Sequence, residues 1–508
     1  MAARTSRRPA ASGPGSGRRK PGSAWRTRGS AEGGVATTEA CYPSRDADAA
    51  RRRALDRVLA SAVVTPSRLP VRAPFGVRAR LLTPLDAGGT CHEPDGLLHV
   101  DEAGRLDFVG AAHDRPDEAA SAIDLRPWVV LPGMVDTHAH LPQLPNAGLG
   151  FALDLLTWLD RLTFPIERSW SDPVVAEALA PGIFAAFAAA GTTTVLGYGV
   201  VYEAAMEACF RAAETHGIRA ILGKVMMDRE TYDPTIEPST ILDRSLREAA
   251  DLISRWHGAD GGRLGYAVTP RFAVSCSPDM LRESANLARS TGTWWQSHVS
   301  EDTFEIAEVG RLFPDATDYV DVYDRAGGLG QRTVLAHAIH LSERELARLV
   351  ETGTRVSHCP ASNLFIGAGV MPLARYLGSG LSVALGSDVS GGPDASIFSV
   401  MRAGAYSQMA RRSLAADDAR AVLGPLDWLR MGSLAGAQAL GLDDRIGSLE
   451  VGKEADLIAI DPSFVAPVPD NADDDPEGLL SRLIFRAHPD MVRAAWVRGR
   501  RLDGPVTR

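Results

Sequence analysis

The 508-residue sequence predicts an α/β chain, a (β/α)8 barrel of the TIM type with a small β-sandwich domain formed by its N- and C-terminal segments. Three observations lead there. Short apolar runs alternate with longer helical stretches through the middle of the chain, the pattern of β/α units around a parallel sheet. β-rich segments punctuated by Gly and Pro flank that region at both ends. Histidines and carboxylates recur where the apolar runs stop, the rim at which such barrels place their chemistry.

Taken in order, residues 1–69 form a basic tail rich in Ala, Arg and Gly. It lacks the apolar patterning needed to bury a core, and disorder is expected. The next methionine after Met1 is Met134, so the tail is read either as an unstructured segment or as a mis-assigned start. A targeting role is the second reading, because Arg-rich, acid-poor starts also occur in transit peptides. Residues 70–131 supply the first part of the β domain, with β-rich runs at 71–82 and 97–109. Residues 132–442 are the expected barrel. Its eight candidate strands are Val129–Asp136, Thr193–Tyr198, Ala220–Met226, Gly265–Phe272, Trp294–His298, Thr333–His337, Thr354–His358 and Leu381–Ser387. Residues 443–508 return to the small domain through 446–461 and 494–502, so both termini are tied into one sheet.

Composition removes several classes of function. The chain carries a net charge of −9, and its first 30 residues hold eight basic side chains and no acid, so the remainder is near −17. An acidic body repels phosphates, and no nucleic-acid partner is expected. No uncharged apolar run reaches the roughly 18 residues of a membrane span. The five cysteines lie far apart without a C-x-x-C pair, which argues against a disulfide framework or structural zinc site and for a reducing, cytoplasmic setting.

The chemistry begins where the first barrel strand runs into H-x-H. Side chains alternate along a strand, so His138 and His140 point to the same side and their imidazoles converge. His298, His337 and Asp388 end strands five, six and eight at the same rim. Imidazole and carboxylate suit zinc or ferrous iron, and a catalytic site keeps one coordination position open. The fourth strand ends near Arg271, whose permanent charge cannot coordinate, so one metal is expected rather than two.

Seven motifs run along the chain. H-A-H-L-P-Q at 138–143, D-L-L-T-W-L-D at 154–160, P-R-F-A-V-S-C-S at 270–277 and Q-S-H-V-S-E at 296–301 come first. L-A-H-A-I-H-L-S at 335–342, S-H-C-P-A-S-N-L at 357–364 and G-S-D-V-S-G-G at 386–392 follow. In order and spacing they resemble the amidohydrolase superfamily, and more narrowly its guanine deaminase branch, over about residues 70–505. The H-x-H, H and D pattern is superfamily-wide. H-x-H-x-x-Q with P-R-F and H-x-S-E belongs to the deaminase branch.

The resemblance implies a purine-catabolic hydrolase that converts guanine to xanthine and ammonia with a metal-activated water. His138, His140, His298 and Asp388 would hold one zinc, with iron the alternative. Glu301, His337 and Asp388 would be catalytic, Glu301 as the acid/base glutamate three residues beyond His298. Gln143, Arg271, Phe272, Glu301 and His337 would bind the base, through amide, guanidinium and aromatic groups suited to a planar ligand. A homodimer in the cytoplasm is expected. Because strand alternation separates Arg271 from Phe272, a loop conformation must turn both inward. His340 is expected to open a helix, His358 and Cys359 to end strand seven, and Ser362 and Asn363 to steady the following loop. His216 and His257 are read as surface residues. Two rival readings stand beside this one: a related deaminase or chlorohydrolase acting on another aminopurine, pterin or triazine ring, and a catalytically dead scaffold.

Overall fold

A computed structural model describes residues 69–233, 237–414, 422–466 and 475–504; nearly all of the basic tail, residues 1–68, lies outside the described residues. The strands are, in chain order, β1 Phe75–Pro84, β2 Thr90–Val100, β3 Leu106–Ala111, β4 Ile123–Pro132, β5 Met134–His140, β6 Thr192–Tyr198, β7 Arg219–Gly223 and β8 Val225–Met226. They continue as β9 Leu264–Pro270, β10 Trp294–Val299, β11 Thr333–His337, β12 Arg355–His358, β13 Ser382–Leu385, β14 Leu457–Ile460, β15 Val492–Val497 and β16 Arg500–Arg501. One sheet has the order β16-β15-β14-β4-β1-β2-β3 and so unites both ends of the chain. The other runs β5-β6-β7-β9-β10-β11-β12-β13, with β8 paired to β9, and every pairing in it is parallel. Helices separate successive strands of this second sheet except β7 and β8, as the alternation predicts.

The sheet closes between its first and last strands through bonds made just beyond β13. The Asp388 N–H donates to His138 O at 2.8 Å and the His140 N–H donates to Val389 O at 3.0 Å. The fully buried carboxylate of Asp136 accepts from Ser387 N–H at 3.0 Å and from its hydroxyl at 2.5 Å. The closing seam therefore lies beside two of the site histidines. At the opposite end, Arg219 at the start of β7 joins Glu454 and Asp456 near β14, with the nearest atoms 2.5 and 3.0 Å apart and all three side chains buried. Truncating one partner of a buried, hydrogen-bonded pair of this kind costs about 3–5 kcal/mol.

One sequence expectation is refined and one corrected. The run at 97–109 is a hairpin, β2 and β3, broken by a turn in which Gly104 takes φ 76°. The run Val129–Asp136 is two strands in different sheets, because the chain passes from β4 to β5 at Gly133. A Cβ there would lie 2.0 Å from Thr193 Oγ1, and the flanking amides are spent on Asp456 O and Gly191 O. Gly133→Ala should therefore destabilise the fold by about 1–3 kcal/mol through overpacking. A lowered denaturation midpoint checks this, and an unchanged midpoint would mean that Thr193 can step aside.

Among the described residues, no single helix is long and apolar enough to cross a membrane.

Candidate active site

His138 and His140 lie two residues apart on β5, so the pleat sends both rings inward, where their centroids are 5.0 Å apart. His298 on β10 stacks on His140, with Nε2 atoms 3.2 Å apart. His298 Nδ1 faces Arg271 O at 2.6 Å and must donate to it, which leaves Nε2 as a lone pair aimed at the cluster. Asp388 Oδ1 stands 3.1 Å from His138 Nε2 and 3.4 Å from His140 Nε2. Ligand atoms of His138, His140, His298 and Asp388 thus all lie within 4.8 Å of one another. Three imidazole nitrogens beside a carboxylate, away from bulk water, form a donor set that a divalent cation fits.

His337 ends β11, and its Nε2 lies 3.4 Å from Glu301 Oε2 and 3.9 Å from Asp388 Oδ2. The backbone that aims these groups is not ordinary strand. His337, Asp388 and Ser300 have φ values of 71°, 47° and 47°, in the left-handed region that costs a non-glycine residue about 1–3 kcal/mol. Such positions persist where the surroundings over-determine them, and here they set the side chains of His337 and Asp388, and of Glu301 after Ser300, near one point.

Burial dominates the electrostatics. It drives the pKa of His140 and His298 well below the ordinary imidazole range, aided by neighbouring histidines, so both present neutral lone pairs. His337 is pushed down to about 4, again chiefly by burial, against the opposing pull of Asp388. For Asp388 burial acts to raise the pKa, but the hydrogen bond and charge of His138 outweigh it and hold the carboxyl down at about 2. Glu301 goes the other way, raised well above the carboxylate range by burial and then by the charge of Asp388. Two adjacent carboxyl groups therefore sit at opposite ends of the scale, one kept charged and one able to hold a proton.

A cavity opens on this cluster, lined by His140, Trp158, Arg271, Phe272, His298, Glu301, His337 and Asp388, with Leu155, Leu159, Ser362, Ile366 and Gly391 completing its wall. β9 stops at Pro270, so Arg271 and Phe272 follow the strand as loop residues and both reach the cavity, as their adjacency required. Gln143 and His138 are set back from the wall, Gln143 being fully buried with its Nε2 donating to Glu167 Oε1 at 2.7 Å. His340 sits in the turn before the helix Glu343–Thr352, its Nε2 against Ala368 O at 2.8 Å; Ser342 caps that helix instead. His216 is half-buried rather than a surface residue, with Nε2 donating to Asp503 O at 2.9 Å, while His257 is exposed as expected.

Sequence reasoning underrated four residues. Ser362 donates to Asp388 Oδ2 at 2.5 Å, and Asn363 Oδ1 accepts from His337 Nδ1 at 2.9 Å, so this pair fixes site groups rather than merely its own loop. Their place in S-H-C-P-A-S-N, just beyond a strand end, was the available signal. Asp136, two residues before His138, was hidden in an apolar run. Glu167 had no motif of its own to announce it.

The amidohydrolase family pattern matches residues 129–502, most of the chain. A probable guanine deaminase of Deinococcus radiodurans is 38% identical over 415 residues, covering 80% of this chain and 92% of that protein. The chain belongs to the amidohydrolase family, in its guanine deaminase branch. This amidohydrolase also superposes on the guanine deaminase of C. acetobutylicum, solved with guanine in its active site, with a TM-score of 0.78 and 28% identity over 85% of this chain and all of that one. An adenosine deaminase from Xanthomonas campestris, solved with bound zinc, is 25% identical with a TM-score of 0.70, covering 85% of this chain and 93% of the other. Amidohydrolases are metal-dependent, and the His/Asp cluster of this member fits a metal site.

Proposed function

We propose that this amidohydrolase is a guanine deaminase that hydrolyses the C2 amine of guanine to give xanthine and ammonia. The observation that carries the reading is the convergence, in one cavity, of the His/Asp cluster with Glu301, His337, Arg271 and Phe272. It is supported by relatives of that activity aligned over most of their length.

In this reading His138, His140, His298 and Asp388 hold a single zinc ion, since neutral imidazoles and one carboxylate are its ordinary donors and a relative was solved with zinc. An ion held there would lower the pKa of water from 15.7 toward roughly 7–9 and so supply a nucleophile at neutral pH. Asp388 Oδ2, held by Ser362, accepts a hydrogen bond from the attacking water and orients it toward the C2 face. His337, neutral and tethered through Nδ1 to Asn363, offers Nε2 to the same water. Glu301 takes the proton released on attack and passes it to the adjacent ring nitrogen, then takes the proton of the new C2 hydroxyl and delivers it to the departing amine as C2=O forms. A carboxyl whose pKa is raised by burial is suited to carrying a proton both ways near neutral pH. Arg271 donates to the purine carbonyl and Phe272 covers the ring. Leu155, Trp158, Leu159 and Ile366 give the pocket an apolar wall that limits water. The family resemblance adds a homodimer working in the cytoplasm.

Ammonia release from guanine, with xanthine identified by mass and metal content measured on the same sample, tests the proposal. Stoichiometric xanthine and ammonia are expected. No turnover of guanine with turnover of a pterin or triazine would replace the substrate, and a folded, metal-free protein would favour the scaffold reading.

A further inference from the structure

One fully buried carboxylate outside the cluster touches both polar groups assigned to the base. Glu167 lies in the short helix Phe164–Ser169, directly after the π-turn Leu159–Thr163 that follows the cavity residues Leu155 and Trp158. Its Oε1 accepts from Gln143 Nε2 at 2.7 Å and its Oε2 accepts from Arg271 Nη1 at 2.6 Å. All three side chains are almost wholly enclosed, and the Arg271 guanidinium also lies 5.4 Å from the centre of the Phe164 ring.

The donor rules of these groups have a consequence. A carboxylate only accepts, so the Gln143 amide must turn its NH2 toward Glu167 and its Oε1 away. That oxygen is buried with no hydrogen-bond partner among the described residues. An unpaired buried acceptor is costly unless something fills it, and Arg271, which lines the cavity, has N–H groups beyond the one given to Glu167. We propose that Glu167 is a positioning residue for specificity: it locks Gln143, the base-binding amide that the resemblance implies, as an acceptor and Arg271 as a donor, and so selects purines with a ring N–H next to a carbonyl. This rests on the guanine reading above. A 6-amino purine would put an N–H against a guanidinium N–H, and a purine without the 6-oxo group would leave both protein groups unpaired, the kind of mismatch that discriminates by 10⁴–10⁵ in favourable sites.

An amide in place of the carboxylate can accept or donate, so Glu167→Gln frees Gln143 to flip and removes the charge partner of Arg271. The probe is 2-aminopurine, which keeps the C2 amine but lacks O6 and the N1–H, read beside guanine by ammonia release. For E167Q the guanine KM should rise by about tenfold or more, with kcat changed less, and the kcat/KM preference for guanine over 2-aminopurine should shrink by about tenfold. Metal content should not change. An unaltered preference would overturn the proposal, as would a loss confined to kcat. Gln143→Ala leaves the Glu167–Arg271 ion pair intact, so it guards against a folding defect. It should narrow the same preference, and a preference equal to that of the parent would also refute the idea. Absence of guanine turnover by the parent protein would instead sink the guanine assignment itself.

Discussion

Glu301→Gln should lower kcat by about 10²–10⁴-fold, the range attributable to one positioned acid/base group, while the protein keeps its metal and its fold. The side chain is buried, reaches to 3.4 Å from His337 Nε2, and is not part of the four-residue cluster. Its amide isostere fills the same space but cannot take a proton from water or return one to the amine. The assay pairs ammonia release with metal analysis, and the pairing matters. Loss of turnover together with loss of metal would make Glu301 a ligand, and retained turnover would remove it from the reaction. Its raised pKa follows from burial and from the charge on Asp388, so neutralising that neighbour should bring the Glu301 titration down toward the usual range.

Stripping the metal should cost even more. Treatment with a strong chelator is expected to reduce turnover by roughly 10³-fold or more, since water would return to its bulk acidity. Added zinc should restore activity in proportion to the metal bound. His298→Ala should do the same irreversibly, because His298 supplies a lone pair whose direction is fixed by the Nδ1 contact with Arg271 O at 2.6 Å. Full activity in verified metal-free protein would overturn the assigned chemistry. Recovery with ferrous iron in place of zinc would change the ion but not the site.

Much of this was legible along the chain because each signal was local. H-x-H on a strand needs only the two-residue pleat to converge, and His138 and His140 do so on β5. The eight strand positions follow from apolar runs, apart from 129–136, where a glycine lets one run serve two sheets, and 220–226, which divides into β7 and β8. Asp388 was read as ending strand eight, but β13 stops at Leu385 and the carboxylate reaches the cluster from a turn at φ 47°. Alternation does not foretell a left-handed residue, because that conformation is imposed by neighbours rather than preferred by aspartate.

What the sequence by itself determined is the donor inventory and its order: three histidines and an aspartate for a cation, Glu301 and His337 beside them, and a barrel to carry them. Tertiary structure alone decided how those groups are set. It paired Asp388 with Ser362 and His337 with Asn363, separated the pKa values of Glu301 and Asp388 by unequal hydrogen bonding within one buried space, and brought Glu167 across 104 positions to Arg271 and 24 to Gln143. The reason is physical. Residue type fixes what a side chain can donate, accept or coordinate, whereas direction, tautomer and protonation depend on what surrounds it after the chain has closed on itself.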